Sequence, residues 1–145
     1  MRYLLLTVLI LVGCQNPRYE AIRQTNTISS DFTRSNIDQY IITKIGSLDH
    51  EELLVLFYKN TTYLGSLTVV GKTNSVEYNN GDLLSKCNKL NCNGLIISHN
   101  HPTQYFAQHS EVDSKTAKTN KAFYDTFHID VIANIVVTKY DSVWY

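Results

Sequence analysis

Neither sign of charge prevails in this chain: thirteen basic residues face thirteen acidic ones, and the formal net charge is zero. No Lys/Arg cluster is long enough to make a phosphate-binding stripe, so nucleic-acid binding has no electrostatic support. Cysteine is scarce, with three in all. Cys87 and Cys92 in "CNKLNC" lack the two-residue gap of a zinc knuckle. Two small buried residues is the preferred reading of that pair, although an exported location would permit a disulfide. Repeats and low-complexity tracts are absent. So is any apolar run able to span a bilayer: Tyr3 to Val12 rises about 15 Å as helix, against a hydrocarbon core of roughly 30 Å. What remains, 43% hydrophobic and 18% charged over 145 residues, suits one globular domain with a modest core.

The first fourteen residues, "MRYLLLTVLILVGC", differ from the rest. Arg2 is a short basic head, the apolar run has signal-peptide length, and a small residue precedes Cys14. "LVGC" resembles the lipobox of bacterial lipoproteins, whose cysteine is lipidated and becomes the first mature residue. That resemblance implies a signal peptide over residues 1–14. It also implies acyl chains on Cys14 that hold the protein to a membrane, facing the periplasm or exterior. The alternative is an ordinary buried helix or an uncleaved anchor. Residues 15–34 are polar without a sustained period and read as a tether.

The domain proper is expected over residues 35–145. Ile37, Tyr40, Ile41 and Ile45 have helical spacing and predict a helix over 36–45, broken by Gly46 and Ser47. "EELLVLFYKN" suits a buried strand, and "TTYLGSLTVVG" its hairpin partner. Asp82 is expected to cap a short helix through Leu90, ended by Asn91 and Gly94. "GLIIS" reads as a strand covered on both faces. Ser110 begins a longer helix, with Val112, Thr116, Thr119, Phe123 and Phe127 as its expected inward stripe. "VIANIVV" and "SVWY" close the chain as strands. Strands interleaved with helices predict an α/β or α+β domain.

The chemistry concentrates in "LIISHNHPTQYFAQHSEVDSKT". Residues two apart on a strand share a face, so His99 and His101 project together at the end of a central strand. Asp113 falls in the first turn of the next helix, where its carboxylate can face the strand end. Two imidazoles and a carboxylate suit zinc and leave a fourth position open, the catalytic rather than the structural pattern. Each half alone is ordinary: Ser-x-x-Asp is close to a helix capping arrangement, and a His-x-His pair is most often surface. Their order, strand end and then helix start, gives them weight.

"HNHP" followed by Ser-x-x-Asp resembles the metal-binding motif of the JAB/MPN (JAMM) metalloproteases, most closely their RadC-like bacterial branch. The likeness includes "EELLVLFYKN" upstream and "VIANIVV" downstream, and covers residues 35–145. It implies a mixed central sheet flanked by helices, of cytidine-deaminase-like architecture. It further implies Zn2+ held by His99, His101 and Asp113, with Ser110 stabilising the oxyanion. Glu51 would be the general base, with Glu52, on the opposite face, as runner-up. Zinc lowers the pKa of water toward ~7, and a carboxylate can pass the released proton to the leaving amine.

Three departures stand out. Eight residues, Pro102 to His109, separate the second histidine from the serine, where the family has seven. The Ser-Gly after the Pro and the Pro before the serine are missing. Ala133–Asn134 stands where the branch has Asp-His. An added loop residue is tolerated cheaply, and His109 is an alternative ligand. The expected function is a membrane-tethered zinc peptidase or isopeptidase acting on an exposed amide or isopeptide bond of a peptide or protein. The alternatives are an inactive JAB/MPN binding module and a RadC-like DNA-related role. A neutral, exported chain does not suit DNA.

Overall fold

The computed structural model describes residues 19–20 and 32–145. The leader with its Cys14 and most of the tether therefore lie outside the described residues. Within the tether, Tyr19–Glu20 forms a short strand, β1. Thr33 then starts helix α1 (Arg34–Ile45), its side chain accepting from the Asn36 N–H at 3.3 Å. The helix begins two residues earlier than the apolar spacing suggests, because the cap precedes the first buried side chain.

Strands β2 (Glu52–Lys59) and β3 (Thr62–Val70) make the expected hairpin. The register slips between Phe57 and Tyr58, opposite Gly65, whose φ of 152° is one that side chains avoid. Helix α2 (Asn80–Leu90) corrects one expectation: its cap is Asn79, which accepts from the Gly81 N–H at 2.7 Å, and Asp82 lies inside the first turn. Asn91, at φ 55°, turns the chain out of α2. The preferred reading of the cysteines is also corrected: Cys87 and Cys92 are joined as a disulfide, with Cα atoms 4.9 Å apart. It ties the end of α2 to the chain that leads into β4 (Gly94–Asn100). Helix α3 (Glu111–Asp125), β5 (Asp130–Val137) and β6 (Ser142–Trp144) complete the order.

The six strands form one mixed sheet in the order β1-β3-β2-β4-β5-β6, with only β4 and β5 parallel. This α/β architecture, a mixed sheet flanked by helices, is the one expected. Alternation along β2 and β4 splits the core in two. Leu53, Val55, Phe57, Leu95 and Ile97 pack under α2 and α3, with Leu83 and Tyr124. Leu54, Leu56, Tyr58 and Ile96 pack under α1, against Ile37, Ile41 and Ile45. Each such aliphatic side chain, fully buried, contributes about 1.5–3 kcal/mol. Among the described residues, no helix is long and apolar enough to cross a membrane.

The expected stripe on α3 faces the core only in part: Phe123 packs against it, but the ends of the stripe do not. Val112 is 70% exposed and Phe127 48%, while Asn120 and Tyr124 are buried. The inward face is Asp113, Ala117, Asn120 and Tyr124, about one residue round from the apolar positions. Polar side chains hold it because that face borders a cavity.

Candidate metal centre

His99 belongs to the face of β4 that carries Leu95 and Ile97, and so points toward α3. His101 lies one residue past the strand, yet its N–H donates to the Val137 carbonyl at 2.9 Å, prolonging the pairing with β5. Strand geometry thus holds both rings, and their Nε2 atoms approach to 3.0 Å.

Asp113 arrives from α3. Ser110 is the N-cap, its Oγ accepting from the Asp113 N–H at 3.1 Å, while Asp113 Oδ2 accepts from the Ser110 N–H at 2.6 Å. This reciprocal box fixes the first turn. It also aims the carboxylate at the histidines: Oδ1 lies 3.3 Å from His99 Nε2 and Oδ2 3.6 Å from His101 Nε2. Capping and a position fit for ligation, alternatives in the sequence, coexist in one side chain. Burial pushes the Asp113 carboxyl up, but hydrogen bonds from His99 and the Ser110 N–H outweigh it. The group is held well below the usual carboxylate range.

The donor set fits a metal ion. Tetrahedral zinc with bonds of about 2.0–2.1 Å needs donor separations near 3.3–3.4 Å. The imidazole nitrogens lie 3.0 Å apart, and each has a different oxygen of the Asp113 carboxylate nearby, at 3.3 Å from His99 and 3.6 Å from His101, separations of that order. Among the described residues, His99, His101 and Asp113 are the one group of ligand-bearing side chains that converges so closely, all within 4.8 Å.

The trio opens into a cavity of about 550 Å³. Glu51 and Leu53 line it from the start of β2, Ser110 and Asn120 from α3, and Asn134 and Tyr145 from the far side. Glu51 sits one residue before β2. Burial raises its carboxyl pKa, opposed by His99 and His101 and reinforced by Asp113. Glu52 points the other way, its Oε1 2.8 Å from His50 Nε2. His109 stays apart from the trio, its ring stacked on Tyr145 at 4.5 Å. The lengthened loop is anchored: the Tyr105 carbonyl accepts from Thr138 Oγ1 at 3.0 Å, and the Ala107 N–H donates to Asp141 Oδ2 at 3.1 Å.

Sequence reasoning missed part of the cavity wall. Asn120 Nδ2 donates to the Tyr78 hydroxyl at 2.6 Å and its Oδ1 accepts from Asn80 at 2.9 Å. The seven-residue step from Asp113 to Asn120, two helical turns, was the signal for it. Tyr145 carried no signal, and Asn134 stood out only as a departure from the family pattern; strand pairing brings both there, each backbone N–H bonding the other's carbonyl. Residues 32–144 match the family model of the RadC-like JAB domain. No curated protein matches the chain.

Proposed function

The chain belongs to the RadC-like JAB domain family, and on that premise we propose that it is a zinc-dependent hydrolase of amide bonds, a peptidase or isopeptidase. The observation that carries the reading is the convergence of His99, His101 and Asp113 beside a half-buried glutamate. His99, His101 and Asp113 would hold the zinc. Zinc, when bound, supplies a Lewis acid that polarises a carbonyl and makes water easier to deprotonate.

Glu51 is the general base. Its carboxylate lines the same cavity as the three ligand side chains, which places a proton acceptor beside the water to be activated. It takes the proton from the attacking water and delivers it to the leaving amine. Ser110 Oγ already accepts from the Asp113 N–H, so its own O–H is the donor it offers to the substrate carbonyl oxygen as that oxygen gains charge. Leu53, Val76 and Ile97 supply apolar wall, which limits water and strengthens these interactions.

The membrane tether rests on the sequence alone, through "LVGC" and Cys14. It directs the enzyme to peptide or protein substrates outside the cytoplasm. The test is zinc analysis of the purified protein together with a panel of linear and branched peptides, including cell-wall fragments. One zinc per chain and cleavage within the panel support the reading. Zinc without cleavage anywhere in the panel makes the protein a metal-stabilised binding module. The lengthened 102–109 loop and Asn134 would then be the changes that silenced it.

A further inference from the structure

Glu51 lies before the first residue of β2, where a side chain on a loose strand end would sample many positions. The ladder between β2 and β4 ends at Leu53 opposite His99. Past that pair no β4 backbone group reaches the chain around Glu51. Even so, the two peptide groups that carry its Cα are fully bonded. The Glu51 N–H donates to the Lys72 carbonyl at 2.8 Å, and the Glu51 carbonyl accepts from the Gly71 N–H at 2.8 Å. The other two polar atoms are bonded by a single side chain: Asn100 Oδ1 accepts from the Glu52 N–H at 2.7 Å, and Asn100 Nδ2 donates to the His50 carbonyl at 2.9 Å. Asn100 has no exposed surface and stands between His99 and His101 in sequence.

We propose that Asn100 is the positioning residue for Glu51. Its side-chain amide clamps the backbone on both sides of the glutamate, and thereby fixes the carboxylate relative to the cluster that its neighbours His99 and His101 help to form. The proposal rests on the reading of Glu51 as the base. Alternation explains the division of labour: odd residues of this stretch face the cavity, while Asn100 faces the opposite side and reaches β2. The residue type is demanded as well, because the clamp needs a donor and an acceptor on one short side chain. Ionised aspartate has no donor, leucine of similar shape has neither, and glutamine is one methylene too long. Opposite the clamp, Gly71 allows the close approach: a Cβ there would fall 2.5 Å from the Glu51 carbonyl oxygen.

The experiment compares Asn100→Leu, Asn100→Ala and Ser98→Ala in the full chain. Ser98 Oγ donates to the Leu54 carbonyl at 2.6 Å, a buried bond between the same two strands that does not flank Glu51. Three readouts are taken: zinc content, the ¹³C titration of the Glu51 carboxyl in the metal-free protein, and kcat and KM on any amide substrate that the wild type cleaves. Both Asn100 variants should keep one zinc per chain. Their Glu51 midpoint should drop toward the ordinary glutamate value of about 4.3, and kcat should fall about 10²-fold with KM little changed. Ser98→Ala should leave the midpoint and kcat as they are. If Asn100→Leu does not fold, Asn100→Ala, which removes both partners without adding bulk, carries the same comparison. An unchanged Glu51 midpoint in the Asn100 variants, or an equal drop in Ser98→Ala, overturns the clamp. Failure of the base reading shows separately, as full activity in Glu51→Gln.

Discussion

Asp113→Asn keeps the shape of the side chain and removes its charge, which sets its two roles against each other. In the metal-free protein the amide oxygen can still accept from the Ser110 N–H, now bonded at 2.6 Å. A bond to a charged acceptor contributes about 1.5–3 kcal/mol and a neutral one about 0.5–1.5, so roughly 1–1.5 kcal/mol is lost. Loss of a negative charge in the first turn of α3 adds about 0.3–1 kcal/mol. The side chain is only 16% exposed, so solvent screening takes little from these figures. These two losses, about 1.3–2.5 kcal/mol before the weakened contact with His99 is added, lower Tm by roughly 5–10 °C in a domain of this size. The difference depends on pH in a defined direction. Because the folded Asp113 pKa is depressed, its contribution is complete above the unfolded value of about 3.9 and is lost as pH falls through the folded value. Thermal unfolding of the metal-free proteins should therefore differ at pH 7 and converge as the solution is acidified below about pH 4. Zinc analysis is the second assay: the wild type should carry one ion per chain and Asp113→Asn much less. Equal Tm at pH 7 refutes the capping account, and an undiminished zinc content refutes the ligand account.

Three further outcomes are expected. Glu51→Gln should retain zinc and fold while turnover on an amide substrate falls by about 10²–10⁴, and Glu52→Gln, whose carboxylate pairs with His50, should do little; the reverse pattern in steady-state kinetics would mean that Glu52 is the base. His109→Ala should leave zinc stoichiometry near normal, because its ring stacks on Tyr145 rather than joining the trio; loss of the ion would show that the lengthened loop takes part in the site. Cys14→Ser should move the protein from the membrane to the soluble fraction or leave its leader uncleaved, and unchanged fractionation and gel mobility would rule out the lipid.

The parts of the site written in short periods were legible. His99 and His101 obey the two-residue repeat of a strand, and Ser110 to Asp113 the three-residue reach of a capping box. Counting back along an apolar strand put Glu51 at its mouth, and it lines the cavity. Legibility failed where the cavity replaced apolar residues with polar ones. Asp113 and Asn120 occupy the inward face of α3, so the hydrophobic stripe pointed about one residue astray. The Asn100 clamp could not be read at all, since it joins residues 48 and 50 positions apart and an asparagine between two histidines suggests a loop. At α2 a generic rule misled: Asp82 and Asn79 are both good caps, and only the backbone decides between them. The disulfide likewise depended on a Cα separation that no spacing supplies.

Strand β1 changes what a lipid on Cys14 would do. Residues 15–34 read as a leash, and twenty residues of extended chain would let a domain wander about 70 Å from its anchor. But Tyr19 is already hydrogen-bonded into the sheet, opposite Val69 of β3. Only five steps separate it from Cys14, a reach of at most about 18 Å. The sheet edge would then ride close to the bilayer. β4 lies three strands in from that edge, about 14 Å at the usual spacing. An enzyme so mounted would patrol a thin layer of surface, and the bonds it could cut would be those presented within a few nanometres of the lipid headgroups.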